Sequence, residues 1–64
     1  QDDIFSNLTS SELNIAKYLK IGYKNIEISE ELNISINTVK KHIKNIYTKL
    51  NVSDRVSFLK LVMG

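Results

Sequence analysis

Sixty-four residues with no cysteine and a single histidine make one small domain and exclude a disulfide framework, a thiolate metal site and a zinc site. Apolar residues are 42% of the chain, proline is absent and glycine occurs twice, which points to packed helices rather than a turn-rich sheet. The net charge of +2 is unevenly placed: residues 32–53 hold Lys40, Lys41, Lys44 and Lys49 with no acid, leaving five cations against seven acids elsewhere. One surface is therefore suited to an anionic partner, with a solvated basic face as the plain alternative. No apolar run is long enough to cross a membrane and no signal-peptide pattern occurs, so a cytoplasmic location is expected. A start on Gln1 rather than methionine points to a fragment of something longer.

Residues 1–7 carry no clear period and two adjacent acids, so a frayed lead-in or linker end is expected ahead of a domain over 8–64, with Ile4 and Phe5 able to pack on it. Thr9 and Glu12 stand three apart ahead of an apolar-periodic run, a capping box for a first helix. Leu8 is its staple, Ile15, Ala16 and Leu19 its buried face, Tyr18 its margin and Gly22 its left-handed stop. Leu13 and Ile21 fit that stripe poorly and are expected to be exposed or to meet another neighbour. A second helix is predicted over Asn25 to Leu32, with Ile28 and Leu32 buried and Glu27, Glu30 and Glu31 outward. Lys24 stands where a capping side chain would help, and Asn25 is the alternative cap. After a turn at Asn33 and Ile34, Ser35 caps a third helix reaching Leu50, with Asn51 as its left-handed stop. So short a connection makes the second and third helices cross steeply, a helix-turn-helix arrangement. Ser53 is expected to cap a fourth helix from Asp54 to about Met63, whose Val56, Leu59, Val62 and Met63 exceed what four short helices need internally. The fold class is all-α, four helices with the third as the candidate recognition helix. There are no repeats and no low-complexity segments.

At 100° per residue the third helix divides cleanly. Val39, Ile43, Ile46 and Leu50 form a narrow apolar stripe, while Asn37, Lys40, Lys41, Lys44 and Thr48 lie opposite. A helix that enters the roughly 12 Å wide major groove of B-DNA needs an apolar back, a polar front and no acids facing phosphates, and this one has all three. Lysines donate to guanine O6 and N7 or to phosphate oxygens, and Asn37 and Thr48 donate or accept. The backbone N–H groups from Ser35 to Thr38 are themselves a phosphate site. Catalysis has no comparable support. His42 flanks the apolar stripe and reads as a packing or phosphate-facing residue, no glycine-rich loop occurs, and the domain is too small to enclose an ordinary substrate pocket. A non-enzyme is expected, without cofactor, metal or small-molecule ligand.

The residues Leu8-Thr9, Glu12, Gly22, Asn25, Glu27-Ile28, Leu32, Ile34-Ser35, Thr38-Val39-Lys40, His42, Asn45-Ile46, Lys49-Leu50, Val52 and Arg55 resemble the LuxR-type, or GerE-type, helix-turn-helix domain of bacterial transcription regulators. The likeness runs from Leu8 to Met63, and TVKKHIKNIYTKLNV is its most specific string. It implies the C-terminal output domain of a response regulator of a two-component system, or of a quorum sensor, that binds double-stranded DNA. By that match Lys40, Lys41 and Lys44 are base-facing, and Asn25, Ser35, Asn37, Thr38 and Lys49 are phosphate-facing. Val39, Ile43, Ile46, Leu50 and Val52 correspond to the core. Val56, Leu59 and Met63 lie on or near a fourth helix that supplies a homodimer contact, with RNA polymerase as a further candidate partner. If about four lysines neutralise phosphates, log K should fall against log salt with a slope of about −3.6 per copy.

Some positions depart from the pattern. Ser11 replaces a frequent arginine, Ile26 a frequent lysine and Ser29 a usual alanine, and Lys24 restores some charge near Ile26. Phe58 stands where a small residue is typical, which bears on the dimer contact. Two rivals remain on the residues alone. A promoter-reading sigma-factor region shares the LT…E and S-x-x-T-V pattern. A protein-interaction module would use the basic face together with the apolar excess at Val56, Phe58, Leu59 and Val62.

Overall fold

The helices fall where capping chemistry starts and stops them. The computed structural model describes residues 4–63; residues 1–3 of the expected lead-in, and residue 64, lie outside the described residues. Four helices follow in order: α1 (Ser10–Lys20), α2 (Asn25–Leu32), α3 (Ile36–Leu50) and α4 (Arg55–Met63). No strand occurs among the described residues. Ahead of α1 the chain turns, with Leu8 N–H donating to Phe5 O at 3.0 Å, and Phe5 and Leu8 pack at the edge of the core.

At the start of α1, Glu12 N–H donates to Thr9 Oγ1 at 3.2 Å while Glu12 Oε1 accepts from Thr9 N–H at 3.0 Å, the reciprocal capping box. The stop at Gly22 has φ +99°. Tyr23 N–H reaches back to Tyr18 O at 3.0 Å and Gly22 N–H to Leu19 O at 3.1 Å, the Schellman arrangement. Its usual accompanying contact is present too, since the Tyr18 and Tyr23 rings pack at a tilt with centroids 4.9 Å apart. Helices α2 and α3 end in the same way on asparagine: Asn33 at φ 56° and Asn51 at φ 59°, with Ile34 N–H on Ser29 O at 3.0 Å and Val52 N–H on Tyr47 O at 2.9 Å.

Two expected caps are corrected. At α2 Asn25 does not take over the cap, being the first residue inside the helix, and the imperfect cap expected at Lys24 is what is found. Lys24 is the N-cap residue and its ammonium has no acceptor; Glu27 supplies the only half of the box, accepting from Lys24 N–H at 2.7 Å. At α4 the cap is Asp54 rather than Ser53, because Asp54 Oδ1 accepts from Ser57 N–H at 2.8 Å. A carboxylate at that place also complements the helix dipole.

The core consists of Ile15, Ala16 and Leu19 from α1, Ile28 from α2, Val39, Ile43 and Ile46 from α3, and Phe58 from α4. α3 packs against both α1 and α2, and α4 rests on α1. Leu32, Leu50 and Val52 are half-buried at the edge of this core. Ile21 is 67% exposed, whereas Leu13 is half-buried. Phe58 corrects a further expectation. It is fully buried, with its ring 5.8 Å from that of Tyr47, and so takes no part in the apolar surplus of α4. Burying a phenylalanine contributes about 1.5–3 kcal/mol, a large share of the roughly 3–10 kcal/mol expected for a chain this short. Ser29 is also buried and keeps its hydroxyl satisfied by donating to Ile26 O at 2.7 Å.

Candidate nucleic-acid interface

The outward face of α3 begins at its cap. Ser35 Oγ accepts from Thr38 N–H at 3.1 Å, and the two hydroxyls share a bond at 2.8 Å. Val39 N–H returns to Ser35 O at 3.1 Å. The expected phosphate site at this terminus is therefore narrower than four amides. Thr38 N–H is already taken, and the amides of Ile36 and Asn37 are the ones left facing out of the helix end.

Beyond the first turn, Lys40, Lys41 and Lys44 are all exposed, and none forms an ion pair among the described residues. They do not stand alike. Lys40 and Lys44 line an open trough of about 480 Å³ together with Asn25, Tyr47, Thr48 and Ser53. Asn25 is the first residue of α2, so the trough runs from the start of α2 along α3 to the connection before α4. Lys41 and Asn37 lie outside it. The Thr48 hydroxyl donates to Lys44 O at 3.0 Å, leaving only its lone pairs for an outside partner. Burial raises the Tyr47 phenol above its ordinary value, with Arg55 opposing.

Lys49 has a different environment. Its ammonium lies 2.7 Å from Glu12 Oε1, and Glu12 is 4% exposed. The same carboxylate oxygen accepts from Thr9 N–H. The Lys49 hydrogen bond, followed by the Thr9 amide, holds the Glu12 carboxyl below its ordinary value against the opposing effect of burial. The cation that the resemblance places on phosphate thus joins the tail of α3 to the head of α1.

His42 is half-buried, and its Nδ1 is buried without a hydrogen-bond partner among the described residues. It borders a cleft of about 220 Å³ with Ser11, Asn14, Leu32, Ile34 and Thr38. Ser11 therefore lines the same cleft as Thr38 and His42 of α3. On α4, Val56 is 62% and Met63 74% exposed. With half-buried Leu59 and the stem of Lys60 they line an apolar groove of about 430 Å³. No described helix is long and apolar enough to cross a membrane.

Three features were missed by the sequence reading: the Glu12–Lys49 pair, the inclusion of Tyr47 and Ser53 in the trough, and the work of Arg55. Arg55 Nη2 donates to Leu19 O at 3.3 Å and also to Tyr23 O. One signal pointed to it. A cation in the first residue of a helix opposes that helix's own dipole, so its charge is expected to serve another element.

Over residues 6–62 the chain matches the family described as bacterial regulatory proteins, luxR family. It is 47% identical over 57 residues to the nitrate/nitrite response regulator protein NarP of Escherichia coli, covering 89% of this chain and 26% of that protein. It is 55% identical over 49 residues to the transcriptional regulatory protein LiaR of Bacillus subtilis, covering 77% of this chain and 23% of that protein. Against the response regulator protein VraR of Staphylococcus aureus the identity is 42% over 53 residues, covering 83% and 25%. The chain spans about a quarter of the length of these relatives.

Proposed function

This chain belongs to the luxR family of bacterial regulatory proteins, and on that premise we propose that it binds double-stranded DNA sequence-specifically, as the C-terminal output domain of a transcription regulator. The relatives named as response regulators favour that type over a quorum sensor. The observation that carries the reading is the outward face of α3: three exposed lysines without an ion pair among the described residues, on a helix whose other face is core.

In this reading α3 lies in the major groove with Lys40, Lys41 and Lys44 toward base edges. The amides of Ile36 and Asn37, with the side chains of Ser35, Asn37, Thr38 and Asn25, position the backbone phosphates. Lys49 is withdrawn from that set by Glu12 and holds the tail of α3 in place. The apolar groove at Val56, Leu59 and Met63 supports pairing of two copies, so that two α3 helices read two half-sites.

The test is binding to duplexes selected from a random library, followed across salt concentrations. If three lysines neutralise phosphates the slope of log K against log salt is about −2.7 per copy, and four would give about −3.6. A flat salt dependence, or equal affinity for selected and scrambled duplexes, would sink the proposal.

A further inference from the structure

We propose that Arg55 is a positioning residue that fixes the heading of α4 against the corner between α1 and α2, and thereby the half-site spacing at which two copies bind DNA. The proposal rests on the paired DNA-binding reading above. Arg55 opens α4, yet its guanidinium reaches two main-chain carbonyls of other elements. Leu19 O belongs to the last turn of α1, and Tyr23 O belongs to the residue just before the N-cap of α2. One guanidinium nitrogen, Nη2, thus joins the end of α1, the entry to α2 and the start of α4.

The electrostatics give the direction of this work. A positive charge in the first residue opposes the dipole of α4, whereas the C-terminal carbonyls of α1 favour it. The guanidinium of half-buried Arg55 is therefore better placed as a clamp on α1 than as part of its own helix. The remaining anchors of α4 are apolar: Phe58 in the core and Leu59 and Val62 at its edge. Apolar burial is non-directional, so these side chains hold the helix down without setting its heading. The directional bonds from α4 to the α1–α2 corner come from Arg55.

That heading matters because the exposed groove of Val56, Leu59 and Met63 lies on α4, whereas the lysines lie on α3. Nine residues make a helix about 13.5 Å long, so a change of about 10° in heading moves its far end by about 2 Å. A two-fold pairing doubles the displacement to about 4–5 Å, more than the roughly 3.4 Å step between base pairs. The link through Tyr23 ties the angle to the α2 end that carries Asn25, beside Lys40 and Lys44 in the trough. Loosening Arg55 should therefore blur the distance between two reading helices while leaving each of them able to read.

The experiment uses the 64-residue chain, its Arg55→Lys variant and its Arg55→Met variant. Each is titrated against duplexes carrying the selected half-site once, or twice at spacings stepped by one base pair, and each is melted thermally. Wild type is expected to lose about tenfold in affinity for each base pair away from its preferred spacing. Arg55→Lys keeps the charge but loses the reach and the fixed planar direction of Nη2; it should bind the single half-site within about twofold of wild type and flatten the spacing preference to about threefold or less. Arg55→Met should flatten it too and melt lower, because two carbonyls lose their donor; if it does not fold, Arg55→Lys carries the result. A spacing profile unchanged in Arg55→Lys overturns the inference and leaves the DNA-binding reading intact. So does a wild type that binds without preferred spacing, or an Arg55→Lys variant whose single-site and double-site affinities fall in the same proportion. A wild type that retards no duplex removes the reading and the inference together.

Discussion

Lys44 and Lys49 sit on the same helix in the same acid-free segment, and the structure treats them differently. Lys44 is exposed beside Lys40 in an open trough, without an ion pair among the described residues. Lys49 places its ammonium 2.7 Å from a carboxylate that comes from α1 and is almost fully removed from solvent. A charge count along the segment makes the two equivalent. The acid that separates them lies 37 positions earlier in the chain, so a lysine's role here is decided by tertiary packing rather than by its neighbours.

The sharpest way to break this comparison is Lys49→Met. It leaves Glu12 buried without its counter-ion, which costs about 3–5 kcal/mol in a fully buried pair. Here the lysine side chain keeps 36% of its exposure, so about 2 kcal/mol is expected, or a fall in Tm on the order of 10 °C. The salt slope of DNA binding should not move. A slope reduced by about one, at unchanged Tm, would put Lys49 on phosphate and dissolve the distinction.

Lys41→Ala and Lys44→Ala should show the opposite pattern. Each is expected to weaken binding by about 1–3 kcal/mol where it meets a base, with stability held within about 0.5 kcal/mol. Competition between selected and scrambled duplexes then divides the roles. Loss of discrimination marks a base contact, and uniform weakening marks a phosphate contact.

The smallest effect is on the acid side. Glu12 is held below its ordinary value of 4.5 by the Lys49 bond first and the Thr9 amide second. A depressed carboxyl contributes stability that is present above the unfolded value and is lost as pH falls through the folded one. Denaturant midpoints taken downward from neutral pH should therefore drop below about pH 4.5, and less steeply in Glu12→Gln. Asp54 retains a share of the slope in that variant, since its bonds with Ser57 lower it as well. Equal slopes in wild type and variant would mean that the pair makes no net contribution.

What could be read locally was read well. The box of Thr9 and Glu12, the cap at Ser35 and the stops at Gly22 and Asn51 each depend on residues three to five apart, and the side chains that make them occur together in the sequence. The outward set of Lys40, Lys41 and Lys44 follows from helical arithmetic in the same way. The failures have a different origin. Ser53 and Asp54 are both good caps, and only the path of the chain after Val52 selects the second. Phe58 looked like surplus on a short helix, because nothing local says that the core between α1 and α3 has room for a ring beside Tyr47. Arg55 and Lys49 find partners 32 to 37 positions away, beyond the reach of any periodicity.

The helix stops have one more consequence. Among the described residues, two of the three left-handed positions are asparagine rather than glycine, although glycine takes that backbone with less strain. Glycine would also give the unfolded chain more conformations to lose on folding. In a domain this small, whose core is a handful of apolar side chains from four short helices, that difference in chain entropy counts. At Asn33 and Asn51 the chain thus sets a narrower unfolded ensemble against some backbone strain in the folded one, two effects that oppose each other.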